Sequence, residues 1–325
     1  MGRIVTVTVV DLTRPIEQKG FKSVALFDFT TELAPMKITD TSALQAGSDI
    51  LKAATAFFAN GGSDLLVAGK AVVSDLEVFD FLTLVAETND FYGVNVIIPK
   101  ANQLAYVEQV KLFVEGTQKL SVVEVNGLAT EVQTVVDTLN SDRVVVFANA
   151  EDAIEGYGSA VSGICFPQDE GSITWGNKAV TGSPSSGYSP ADEDILLADN
   201  INYVTEEKGL TITQFGRTLS GSNADVTRSK DWLNNRLAEN LTATLVNSKK
   251  IAFTTIDLAK IVGAMDEVGL QAVTMGMLSE FISIVPKVVD IPTNDKANRV
   301  LRGVKFIATL SGAVETIELE LQVRL

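Results

Sequence analysis

The chain has 325 residues, 46% hydrophobic and 21% charged, with a formal net charge of −15 and an isoelectric point near 4.5. That length and balance support two or three domains with sizeable cores, and the acidity excludes a nucleic-acid partner, which needs a cationic footprint. The chain has no histidine and one cysteine, which excludes His-based triads, the usual zinc sites and an intrachain disulfide.

Ile4–Val10 reads IVTVTVV, β-branched and alternating, which predicts a strand. The start lacks the continuous apolar region of a signal peptide, and no apolar run is long enough to span a bilayer. The chain is therefore read as made and kept in the cytoplasm. The polar stretch Asp11–Gly20, with Pro15 and Gly20, has the composition of a linker.

From Val24 to about Phe166 strand and helix signals alternate. Strands are predicted at Val24–Phe29, Leu65–Val72, Val94–Pro99, Leu120–Val125 and Arg143–Ala148. Helices are expected at about 41–59, 75–88, 101–115, 128–140 and 151–163. Short apolar strands separated by helices indicate a parallel sheet covered on both faces. Phe166–Gly216 is rich in Gly, Ser, Pro and Asp and reads as an irregular region ending in a strand at Leu210–Phe215.

The last third is predicted helical, then β. Val226, Trp232, Leu233, Leu237, Leu241 and Leu245 share one face of a long helix. Thr254 caps a second helix, and a third is expected from about Leu270 to Val285, stopping at Pro286. Two strands follow, Arg299–Leu310 and Glu315–Leu325. In the latter, Ile317, Leu319, Leu321, Val323 and Leu325 alternate with Glu318, Glu320, Gln322 and Arg324. Unpaired strands of this kind invite aggregation, so both ends need partners. For the C-terminal strand a hairpin turning at Ser311–Gly312 and pairing outside the domain both remain open. The N-terminal strand, beyond its linker, is the better case for pairing elsewhere.

The motifs of nucleotide chemistry fail. At Gly69-Lys70 the phosphate-loop pattern is broken by Asp64 and Ala71, and after Gly156 and Gly158 the third glycine of a dinucleotide fingerprint comes too late, at Gly163. Gly61-Gly62 follows a helix and reads as its cap and turn. Asp192-Glu193-Asp194 lacks calcium-loop spacing and reads as a solvated acidic loop. Asp28 fits an edge or strand-end position better than a catalytic one, and Cys165, in SGICFP, reads as a buried structural thiol. Arg217-Thr218 and Arg228 are candidate anion contacts with no substrate-binding group beside them. Neither a cofactor nor a metal is expected.

Charge is unevenly spread. Glu151–Lys208 holds eleven acidic and two basic residues, whereas Arg217–Lys260 holds seven basic and four acidic ones. The basic segment fits either solvated helix faces or a surface that meets an acidic partner.

The stretches TWGNKAVTGSP at Thr174–Pro184, INYVTEEKGLTITQFGRTLSG at Ile201–Gly221 and DVTRSKDWLNNRLAENL at Asp225–Leu241 resemble, in order and spacing, the contractile tail-sheath family. The resemblance covers roughly residues 150–325, and the α/β half is compatible with it. It implies a minimal sheath subunit without outer insertions. In that family subunits stack as rings around an inner tube, and strands from both termini of neighbours join one sheet. The implied intersubunit arms carry Val5, Val7 and Val9 at one end and Ile317, Leu319, Leu321 and Val323 at the other. The implied tube-facing residues are Arg228, Lys230, Arg236, Lys249, Lys250 and Lys260. The implied partners are further copies of the chain, the tube, a baseplate and a terminator, with assembly in a bacterial host and no membrane or nucleic-acid contact.

The expected fold class is α/β: an arm and linker at 1–20, an α/β domain at 21–166, a loop-rich connection with a strand at 167–224, an α+β domain at 225–313 facing the tube, and a second strand arm at 314–325. The competing readings are a nucleotide- or metabolite-binding α/β enzyme, with a cleft at the strand C-termini, and another self-assembling shell or surface-layer protein.

Overall fold

The computed structural model describes residues 18–101 and 103–316. The chain divides into two units, one holding Gly20–Trp232 with Met275–Met277, the other holding Leu233–Thr274 with Leu278–Ser311.

The larger unit is built on a six-stranded sheet. Its strands are β1 (Val24–Asp28), β2 (Leu33–Ile38), β3 (Leu65–Gly69), β4 (Gly93–Ile97), β5 (Leu120–Asn126) and β6 (Val144–Asn149), in the order β2-β3-β1-β4-β5-β6. All neighbours run parallel except β2, which pairs antiparallel with β3 at the edge. Every residue of the five parallel strands is buried, as expected when both faces are covered. The five parallel strands therefore stand where the sequence places them, to within a few residues.

Helices α2 (Leu76–Thr88), α3 (Gln103–Thr117) and α4 (Ala129–Val136) cover one face, through Val78, Leu82, Val107, Val110, Phe113 and Val132. Helices α1 (Asp49–Ala59) and α5 (Tyr157–Cys165) pack together on the other. Their approach depends on Gly163, where a Cβ would lie 2.2 Å from the Phe57 carbonyl oxygen.

The larger unit departs from the sequence reading in two places. Strand β2 was not expected, because LAPMKI contains Pro35 and Lys37, a composition that suits an edge. The region 166–216 holds a helix α6 (Pro190–Ala198) and a strand β7 (Tyr203–Glu207), besides the expected β8 (Leu210–Gln214). Asp192-Glu193-Asp194 is thus the start of a helix and not a loop. Ser189 and Asp192 form a capping box with Pro190 in the first turn, and the carboxylates sit at the positive helix end. Asp28 is the last residue of the interior strand β1, the strand-end position expected of it.

Helix α7 (Ala224–Asn247) follows, and the boundary between units falls within it. The smaller unit continues with α8 (Thr255–Thr274), β9 (Leu278–Ile284), a short α9 (Thr293–Ala297) and β10 (Lys305–Leu310). Thr254 caps α8 as expected, its hydroxyl accepting from the Asp257 amide at 3.2 Å. The expected third helix at 270–285 does not exist: α8 runs on to Thr274, Gly276 takes a φ of +79°, and the chain turns into β9. β9 pairs antiparallel with β10, with Ile282 opposite Ile307 and Phe281 opposite Ala308. Phe281 stacks on Phe306 at 5.6 Å and lies over Gly269 of α8.

Candidate functional site

The motifs that carry the family resemblance form a packed joint in the larger unit. Trp175 is buried against Phe166, ring centroids 5.3 Å apart. Gly216 has a φ of +145°, and a Cβ there would lie 2.4 Å from that of Trp175, so the GRT turn closes on the tryptophan only as glycine. Asn202 ties the joint to the sheet. Its side-chain nitrogen donates to the Val146 and Arg217 carbonyls, and its oxygen accepts from the Gly216 and Arg217 amides. All four bonds satisfy backbone groups that burial would otherwise leave unpaired.

The start of α7 is locked to the same unit by charge. Arg228 is 1% exposed, and its guanidinium donates to the carbonyls of Phe21, Cys165, Phe166 and Gln168 at 2.8–3.0 Å, with Glu170 at 3.4 Å. Burial lowers its pKa, and Glu170 opposes that shift. Arg228 therefore leaves the set of surface cations expected to meet a tube. Arg236 pairs with Glu239 at 2.6 Å and donates to the Lys19 carbonyl. Lys260 pairs with Asp257 at 2.7 Å. Lys230, Lys249 and Lys250 are exposed.

At the C-terminal ends of the parallel strands, where an enzyme of this topology would bind its ligand, several polar side chains are engaged by the protein's own groups. Asp28 Oδ1 accepts from the Thr30 amide and hydroxyl. Asn126 and Asn149 donate to the carbonyls of Glu151 and Ala153. Buried Glu124 accepts from the amides of Glu155 and Tyr157, at the start of α5, at 2.7 and 2.8 Å. Burial pushes its carboxyl up to about 7, against the pull of those amides. The Cys165 thiol is buried and pushed up to about 12 by desolvation. Among the described residues no cluster of three or more His, Cys, Asp or Glu is placed to hold a metal, and no helix is long and apolar enough to cross a membrane.

In the smaller unit β9 and β10 pair only with each other among the described residues. Phe281 and Phe306 take the face turned to α8. The opposite face carries Ile282, 59% exposed, beside Ile307, 52% exposed. A two-stranded ribbon is marginal by itself, and edges that carry no further strand among the described residues, beside exposed isoleucines, make a ready template for added strands. The expected arm residues Val5, Val7, Val9, Ile317, Leu319, Leu321 and Val323 lie outside the described residues.

A scan against protein-family models and a search of curated proteins both find no match. Solved structures do match, along almost the whole chain. The helical sheath of the anti-feeding prophage in its contracted state superposes with a TM-score of 0.73 at 11% identity, covering 99% of each chain. The chain has the fold of a contractile-sheath subunit. The same sheath fold appears in the sheath complex of an extracellular contractile injection system, PVC, in its contracted state, with a TM-score of 0.69 at 13% identity and 98% of each chain covered. The crystal structure of a sheath tail protein from Desulfitobacterium hafniense matches with a TM-score of 0.59 at 9% identity, over 93% of this chain and 99% of that one. The joint around Trp175, Asn202 and Gly216 gives the sheath-like sequence pattern a packing role in this chain.

Proposed function

We propose that the chain is the structural subunit of a contractile sheath, which polymerises helically around an inner tube and contracts to drive that tube through a cell envelope. The observation that carries this reading is the sheath fold running the full length of the chain. The open-edged β9–β10 ribbon supports it, because it supplies the acceptor that the alternating termini need. In this reading residues 1–20 and 314–325 are arms, and each adds a strand to the ribbon of a neighbour. A strand of about seven residues gains several main-chain hydrogen bonds, each about 0.5–1.5 kcal/mol net. Two arms per subunit, repeated round a ring, give avidity while flexible linkers let the lattice turn.

The subunit has a structural and not a catalytic role. Its partners are other copies of itself, the tube, a baseplate and a terminator. It assembles in a bacterial cytoplasm and ends in a virion tail or a released particle. The exposed Lys230, Lys249, Lys250 and Lys260 are available to an acidic partner, tube or neighbouring subunit.

Negative-stain electron microscopy of the purified chain tests the reading. Tubes with helical striations are expected. Small discrete particles would turn the assignment towards an α/β binding protein, and flat sheets or closed shells towards a surface layer.

A further inference from the structure

Charge is divided between the two units. Residues 20–232 carry 29 acidic and 13 basic side chains, while residues 233–311 carry seven acidic and nine basic ones. One unit is strongly negative and the other slightly positive, within one chain.

The positive unit holds a groove of about 1010 Å³ between the end of α7, the start of α8 and the segment that follows α9. Leu241, Leu245, Phe253, Ile261 and Leu301 contribute apolar lining. Lys249, Lys250, Lys296 and Arg299 line it too, and none of the four has an ion-pair partner among the described residues. An apolar groove lined by unpaired cations fits an acidic segment that carries an apolar anchor.

The negative unit offers such a segment. Helix α6 carries Asp192, Glu193 and Asp194 in its N-terminal half, and β7 ends at Glu206 and Glu207. The Thr205 hydroxyl donates to Glu193 at 3.3 Å, which sets the helix beside the hairpin. The phenol of Tyr203 between them is pushed up to about 12, by burial first and then by Glu193, Asp194 and Glu207. Leu210, 60% exposed, stands opposite Glu207 at the hairpin end, and Lys208 in the turn is the cation there. Among the described residues Glu193, Asp194, Glu206 and Glu207 have no ion-pair partner.

We propose that the cation-lined groove of the smaller unit docks the acidic α6–β8 face, with Leu210 as its anchor, of a neighbouring copy of the chain. The contact joins two different surfaces, so copies joined head-to-tail through it propagate into a ring or helix. It deepens the sheath reading and rests on its self-assembly. It adds a contact between folded units to the one made by strand arms.

The test is a charge swap in the full chain, read by sedimentation velocity at low salt. Lys249→Glu with Lys250→Glu and Arg299→Glu is expected to weaken self-association by about tenfold or more, as is Glu193→Lys with Asp194→Lys and Glu207→Lys. Both sets together are expected to restore it, and Leu210→Gln to weaken it without changing any charge. Circular dichroism melts check that each variant folds. Association unchanged in either set, no restoration on combining them, or no association of the parent chain overturns the contact. Loss confined to the groove set also overturns it, because the occupant is then another part of the neighbouring chain, such as residues 315–325. Striated tubes from both single sets overturn the contact and leave the sheath reading standing. A chain that pairs through the groove but builds only small oligomers overturns the sheath reading and leaves the contact.

Discussion

Arg143 and Asp231 meet in a two-pronged ion pair, with Nη1–Oδ2 at 2.6 Å and Nη2–Oδ1 at 2.7 Å. The Tyr92 hydroxyl donates to the same Oδ2 at 2.7 Å. Arg143 immediately precedes β6 and Tyr92 immediately precedes β4, so one carboxylate of α7 clamps the N-terminal edge of the sheet. Burial, then Asp231, holds the Tyr92 phenol well above its ordinary pKa, and it remains a donor. Removing Asp231 leaves a largely buried guanidinium without its counterion. Asp231→Ala is expected to cost about 3 kcal/mol or more, and Tyr92→Phe about 1 kcal/mol. Urea unfolding followed by tryptophan fluorescence measures both. Equal small losses from the two would show that the pair is not the anchor.

Arg228 is a charged residue with a structural task. Its guanidinium satisfies four carbonyls brought together from Phe21 and from the end of α5. Lysine keeps the charge but not the planar fork. Arg228→Lys is expected to destabilise the larger unit by about 2–4 kcal/mol, because buried acceptors lose their donors. The same urea melt reads it. A Lys variant of parental stability would return Arg228 to the candidate contact residues.

The parallel sheet is legible in the sequence because its strands are apolar on both faces and punctuated by helices. Helix α6 was masked by its surroundings, although Ser189-Pro190 followed by Asp192 is a cap signal. The misread helix at 270–285 has a definite cause. Leu278, Phe281, Ile282 and Val285 fall at the spacing of one helix face, and Gly276 was the signal against it. Lys249 and Lys250 were visible as cations. Their groove was not, because Lys296 and Arg299 reach it from a distant segment. Arg228 shows the reverse: charge counting along the chain cannot tell a buried arginine from an exposed one.

Glu124 makes stability depend on pH. Its folded pKa of about 7 lies above its value of about 4.5 in an unfolded chain, so the folded state holds the proton across that window. This group's contribution is greatest at low pH and is lost as pH rises through 7. Between about pH 5 and 8 the loss is at most about 3 kcal/mol. The half-buried Asp225 carboxyl is also raised and acts with the same sign, whereas Asp40 and Asp257 are lowered and act only at acid pH, below this window. Glu124→Gln removes its own term alone. The difference in unfolding free energy between parent and variant should therefore slope with pH between 5 and 8. A flat difference would mean that the amides of Glu155 and Tyr157 keep the carboxylate ionised throughout.

In the proposed sheath the ribbon and the arms make separate demands on assembly. Ile282→Glu with Ile307→Glu places charge on the exposed face of β9–β10 and leaves the packing of Phe281 on Phe306 intact. That variant should melt like the parent and form no striated tubes. Deleting residues 1–12 should have the same outcome, since the β1–β6 sheet is complete without them. Deleting the last eleven residues separates the two fates of the C-terminal strand. If it is donated to a neighbour, the truncated chain stays folded and unassembled, because β10 is already paired with β9. If it completes a hairpin with β10, its loss uncovers that strand's second edge, and the protein should aggregate or unfold less cooperatively. Size-exclusion chromatography and circular dichroism melts distinguish these outcomes. A chain lacking both ends that still builds long tubes would remove the arms from the mechanism and leave contacts between the folded units to hold the lattice.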